Sequence, residues 1–191
     1  TSDFEEDQKD DASTRQYIEA VTYSGAEGEL SKHLRPGEYT LYFSRGPEYG
    51  LETREVTLEA GETARMNIGL EQVIETPNYM SADLHMHAAG SIDSGLNYDD
   101  RVISIAAEDV EVVVSSDHNY VSNYLPYIQR NGLEPWMQSV VGVELTTFEF
   151  GHFNAFPLDY EVGEITRGSV PWQRMPPQSI FDELRSQGAI S

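Results

Sequence analysis

The sequence predicts an α/β protein in two parts, antiparallel β structure first and parallel β/α units after it. Three observations carry this. Before Thr76-Pro77, short alternating runs are separated by Pro-Gly and Ala-Gly turns. After Pro77, apolar β-branched runs alternate with stretches of helical period. Each of those apolar runs leads into a residue able to bind a metal ion.

The opening segment TSDFEEDQKDDAS, residues 1–13, has little apolar content and reads as an acidic flexible tail. Residues 14–75 follow. Tyr17 to Tyr23 alternates as a half-buried strand does, and Tyr39 to Phe43 does the same after the turn Arg35-Pro36-Gly37-Glu38. Thr53 to Leu58 and Thr63 to Leu70 flank the turn Glu59-Ala60-Gly61-Glu62. No cluster in this part looks chemical; His33, before a turn, reads as a surface histidine.

In residues 78–191 the strand-like Met80 to His87 precedes a helix over Tyr98 to Asp109, with Val102, Ile105 and Ala106 on one stripe. Val110 to Val114 reads as a strand buried on both faces. A helix over Asn123 to Asn131 is closed by Gly132, and Ser139 to Val143 is a second buried strand. His152 to Phe156 reads as a further strand, and Gln178 to Gln187 as a helix ended by Gly188.

Composition narrows the function. There are 33 acidic residues against 12 basic ones, a net charge of −21. A field of that sign disfavours nucleic acid and anionic membranes and suits cations. Cysteine is absent, which leaves His, Asp and Glu as the strong metal ligands. No apolar run approaches transmembrane length, so membrane insertion is not expected. The chain begins with Thr1, which reads as a processed or trimmed start, and export to the periplasm or beyond is expected.

Four of the five histidines fall at strand ends: His85 and His87 in DLHMH, His118 in SSDHN, and His152. Glu144 ends another strand and Asp93 follows the first. Residues i and i+2 on a strand share a face, roughly 7 Å apart. Two imidazoles at that spacing can close on one ion. Carboxyl ends of parallel strands converge on one mouth, so these side chains are expected in one pocket, where without a cation they would be costly. Asp117 is expected either to orient a histidine or bound water or to cap the following turn. The long segment Asp159 to Pro177 carries Arg167, Trp172 and Arg174; its arginines either grip a phosphate or carboxylate or are solvated on a loop packed by Trp172.

The stretches RPGEYTLYF and TREVTLEAGETARMNIGLE resemble the carboxypeptidase regulatory-like β-sandwich, which implies a non-catalytic sandwich over residues 14–75. The stretches SADLHMHAAGSIDSG, VVVSSDHN, GVELTT and GHFNAFPL, in order over residues 80–158, resemble the PHP (polymerase and histidinol phosphatase) family, and within it the CehA/McbA-like metallohydrolases. That likeness implies a distorted β/α barrel with two or three divalent metals, Zn, Mn or Fe. It implies a metal-bound hydroxide acting on phosphoester, or related ester and carbamate, bonds of a small-molecule substrate. By position, His85 and His87 would bind a first metal, Glu144 would bridge to a second held by His152, and Asp93 and His118 would serve a third. Glu144 and Asp117 are thereby the candidate catalytic residues. Asp93 stands where many relatives have histidine.

Two family segments, Asn-His-Pro and a late Asp-x-His, are missing, and residues 78–191 hold too few strands to close a barrel. The barrel is therefore expected to be completed by another chain or a C-terminal continuation. A different class stays open: a non-catalytic extracellular binding or assembly module with a structural or degenerate metal site.

Overall fold

The computed structural model describes residues 18–191; the expected acidic tail lies outside them. Among the described residues the front part is a two-stranded antiparallel sheet, β1 (Gly37–Phe43) against β2 (Glu52–Leu58), in continuous register from Gly37↔Leu58 to Phe43↔Glu52. The β-sandwich expected here is not formed by these residues. Residues 18–23 and 63–70 are in no strand. The second run alternates in sequence, yet Met66 stays 41% exposed. An alternating pattern makes a strand only where a neighbouring edge and an apolar face meet it, and residues 63–70 meet neither among the described residues.

This hairpin is tied to the remainder by Arg45, whose Nε and Nη2 donate to Asp109 Oδ1 at 2.9 and 2.6 Å. Glu48 adds a second tie, accepting from Val73 N at 2.8 Å through its carbonyl and from Thr76 Oγ1 at 2.9 Å through its carboxylate.

Beyond it, β3 (Ala82–Met86), β4 (Val112–Ser115) and β5 (Gln138–Val141) form a parallel sheet in the order β3-β4-β5. Two helices make the crossovers. α1 (Tyr98–Ala107) starts at Asn97, whose side chain accepts from Asp100 N at 2.9 Å, and Asp99 and Asp100 sit in its first turn, where the helix dipole favours negative charge. α2 (Leu125–Arg130) ends at Gly132, at φ 67°. Gly132 N donates to Gln129 O and Leu133 N to Ile128 O, satisfying the last carbonyls. Val102 and Ile105 of α1 and Ile128 of α2 bury against Val113, Leu133, Met137 and Ala88.

The expected strand over Ser139 to Val143 is two strands. β5 ends at Val141, and β6 (Val143–Thr146) leaves the parallel sheet to pair with β7 (His152–Ala155). The break is Gly142: a Cβ there would lie 2.8 Å from Val114 Cγ1 and 2.9 Å from the Ala155 carbonyl oxygen. The β6–β7 pair is antiparallel, a departure from the all-parallel order expected. The reason is the connection, residues 147–151 with no helix, which is too short for a crossover.

α3 (Pro177–Ser186) covers this hairpin, packing Ile180 and Leu184 with Val143, Leu145, Ala155 and Leu158. It stops at Gly188 (φ 83°) with Gly188 N donating to Arg185 O and Ala189 N to Leu184 O. Ile190 then pairs antiparallel with Phe156. No helix among the described residues is long and apolar enough to cross a membrane.

Candidate metal centre

His85 lies in β3 and His87 just beyond it, past an irregularity in the β3–β4 register between Asp83 and Met86. Both rings turn to the same side. His85 Nε2 is 2.8 Å and His87 Nε2 2.9 Å from Glu144 Oε2, and the two ring centroids are 5.0 Å apart. His118 follows β4, paired in parallel with Glu144 as an isolated bridge, and its Nδ1 is 3.4 Å from the same oxygen. His152 opens β7; its Nδ1 contacts Glu144 Oε1. One carboxylate, on a residue only 3% exposed, thus faces four imidazoles.

Asp93 completes the cluster from the loop after β3. Its Oδ1 is 3.3 Å from His87 Nδ1 and its Oδ2 is 3.2 Å from His118 Nε2. Three overlapping groups result: His85, His87 and Glu144; His87, Asp93 and His118; His118, Glu144 and His152. Within each, the ligand atoms lie within 4.8 Å of one another. The donors are imidazole nitrogens and carboxylate oxygens, a set that suits a divalent first-row ion.

Supporting hydrogen bonds set the tautomer of His87. Ser91 Oγ donates its one proton to Asp93 Oδ1 at 2.6 Å, because a carboxylate only accepts. Ser91 Oγ must then accept from His87 Nδ1–H, 2.8 Å away, and also takes the His118 backbone N–H at 3.2 Å. His87 is left with a lone pair on Nε2, the atom that faces Glu144. Thr146 Oγ1 likewise contacts His118 Nδ1. The Ser91 hydrogen bond, ahead of the nearby His87 and His118, holds the Asp93 carboxyl down at about 2. Burial raises Glu144, but the hydrogen bond from His85 and the neighbouring His118 and His152 outweigh it, and the net shift is downward.

Asp117 is not brought into the three groups. Its carboxylate is buried and turned away, accepting from Ala88 N at 2.7 Å through Oδ1 and from Ser122 Oγ and Tyr98 Oη through Oδ2. Burial pushes its carboxyl up from the usual range. It ties the end of β3 to the end of β4, so its contact with the centre is through backbone position.

The two arginines are held differently. Arg167, at φ 58°, donates from Nε to Tyr120 Oη at 3.2 Å and from Nη1 to the Val162 carbonyl within its own loop. Arg174 is exposed, at φ 65°. The loop between them is anchored by Trp172, whose Nε1 donates to Asn119 Oδ1 at 3.1 Å. Asn119, next to His118, also exchanges two side-chain hydrogen bonds with the Thr146 backbone, each 2.9 Å. His33 is exposed and in none of the groups.

Ser91 and Thr146 were not singled out from sequence. Thr146 was within reach of the period-2 rule, since it stands two residues after Glu144 on one strand. Ser91 lies in a loop, where no period applies.

No family profile matches the chain. No curated protein matches it either. Among solved structures the chain is similar to the crystal structure of a two-domain protein containing a predicted PHP-like metal-dependent phosphoesterase from Bacteroides vulgatus ATCC 8482. The identity is 24% and the TM-score 0.40, over 58% of this chain and 33% of that one. The match thus spans about a third of that protein's length.

Proposed function

We propose that the cluster is the centre of a PHP-like metal-dependent hydrolase, acting on phosphoester or related ester and carbamate bonds. The single observation that carries this reading is Glu144, a buried carboxylate shared by two of three ligand triads, themselves linked through His87 and His118. Such sharing is what adjacent cations require of a protein. Divalent ions bound there, Zn, Mn or Fe, would lower the pKa of a water toward neutrality and draw charge from a phosphoryl or carbonyl oxygen.

The chain's own residues have separable roles in this reading. His85 and His87 hold a first position, Glu144 is common to the first and second, His152 serves the second, and Asp93 with His118 a third. Ser91 and Thr146 keep the rings oriented. Asp117 is a positioning residue that fixes the backbone after His87. Arg174, exposed and without a role in the loop's own hydrogen bonds among the described residues, is the better placed arginine to meet an anionic substrate.

Further strands, from a continuation or a second chain, belong to the same proposal. A parallel sheet is ordinarily covered on both faces, whereas Leu84 in β3 is 48% exposed. Sedimentation of the full-length product, with cross-linking, tests this.

Metal analysis of the purified protein together with turnover of a generic phosphodiester and an aryl ester tests the function. Bound metal with hydrolysis of either substrate is expected. Bound metal with neither reaction would move the reading to a structural metal site, and no metal uptake would remove it.

A further inference from the structure

The β6–β7 register decides which side chains share the face of the centre. The pairs are Val143↔Ala155, Glu144↔Asn154, Leu145↔Phe153 and Thr146↔His152. In an antiparallel pair, directly opposed residues project to the same side, and successive residues alternate. Val143, Leu145, Phe153 and Ala155 take the side that packs on Ile180 and Leu184. Glu144, Thr146, His152 and Asn154 take the other. The first three have partners in the centre: Glu144 and His152 each other, and Thr146 the His118 ring.

Asn154 is the member of this face whose side-chain oxygen has no hydrogen-bond partner among the described residues. It stands directly opposite Glu144, and its Oδ1 is buried without a hydrogen bond. Cβ atoms of opposed residues are about 4.5–5.5 Å apart, within reach of a shared ligand. An amide oxygen only accepts, so it needs a donor or a cation. Glu144 offers neither when ionised, because a carboxylate is itself only an acceptor. The His152 ring nitrogen on this side is already turned to Glu144.

We propose that Asn154 belongs to the centre as a neutral oxygen ligand, its Oδ1 binding the cation held by Glu144 and His152. The inference rests on reading the cluster as a metal centre. A carbonyl-type oxygen is a hard donor, of the kind that complements carboxylate around Mn or Fe and adds to a mixed nitrogen and oxygen set.

The test is the affinity for Co2+ or Zn2+, measured by competition with a chromophoric chelator, with the rise in Tm on metal addition as a second measure. Asn154→Leu keeps the size and removes the oxygen; Asn154→Asp keeps the oxygen and adds charge. His33→Ala serves as the exposed control. Asn154→Leu is expected to lose affinity on the order of 10–100-fold, as changes around metal sites do. Asn154→Asp is expected to bind at least as tightly as the unchanged protein. Its Tm should rise more on metal addition, because the cation then offsets two adjacent carboxylates. Unchanged affinity in Asn154→Leu would overturn the proposal while leaving the centre intact. Should that variant not fold, a Tm rise in Asn154→Asp no larger than in the unchanged protein would overturn it equally. If the unchanged protein takes up no metal, the centre itself falls and this inference with it.

Discussion

Ser91 illustrates how little is needed to commit a histidine to a task. One hydroxyl, donating to Asp93 and accepting from His87, leaves the opposite ring nitrogen free to face Glu144. Ser91→Ala should therefore keep the fold and weaken metal binding on the order of 10–100-fold, read by chelator competition. Glu144 is the more severe position. Glu144→Ala is expected to abolish turnover with the circular dichroism spectrum retained, while His33→Ala leaves turnover unchanged. An active Glu144→Ala protein with normal metal content would remove the shared-carboxylate reading. At this scale the sequence was informative where a period applied. His85 and His87 share a side because strand geometry makes i and i+2 neighbours. Asp117 was not legible in the same way. It follows a strand, where the turn rather than the pleat aims the side chain, and it turned to Ala88 N and Ser122.

Among the elements, the β6–β7 hairpin does most to build the centre, and it depends on Gly142. A methyl group there would meet Val114 Cγ1 and the Ala155 carbonyl below 3 Å. Gly142→Ala should cost about 1–3 kcal/mol, the usual range for overpacking, measured by urea denaturation; a change within experimental error would show that the β5–β6 break is soft. The helix ends at Gly132 and Gly188 were legible, since a glycine one residue past an apolar period is a local signal. The break at Gly142 was not, because a glycine between valines looks alike inside a strand and at the point where a chain changes sheets. Residues 63–70 failed for a related reason: their alternation is local, but a strand needs a partner.

For the whole molecule, a chain of net charge −21 holds a cluster rich in imidazole. Asp93, held at about 2 by Ser91 and its histidine neighbours, stays ionised through mild acid, and Glu144 is also shifted down. Release of metal on mild acidification must therefore come from the histidines, which bind metal only when neutral. Occupancy should fall on acidification from neutral pH. Metal content that held constant from neutral to mildly acid conditions would count against histidine ligation. The change from an antiparallel pair to a parallel sheet was legible as a change of rhythm near Pro77. How the front part is closed was not, since that depends on pairing between distant segments.

Three of the candidate ligands stand in two sheets that share no strand and meet at the His118↔Glu144 bridge. His85 is carried by the parallel sheet, whereas Glu144 and His152 are carried by the separate hairpin. A cation bound between them would act as a rivet through two plates. Its loss would let the plates slide before either one melts. Amide hydrogen exchange would record that order: metal should slow exchange in β3, β6 and β7 together and leave β1 and β2, which lie outside the riveted pair, exchanging as before. Uniform slowing across all of them would mean that the ion stabilises the chain as one cooperative unit instead.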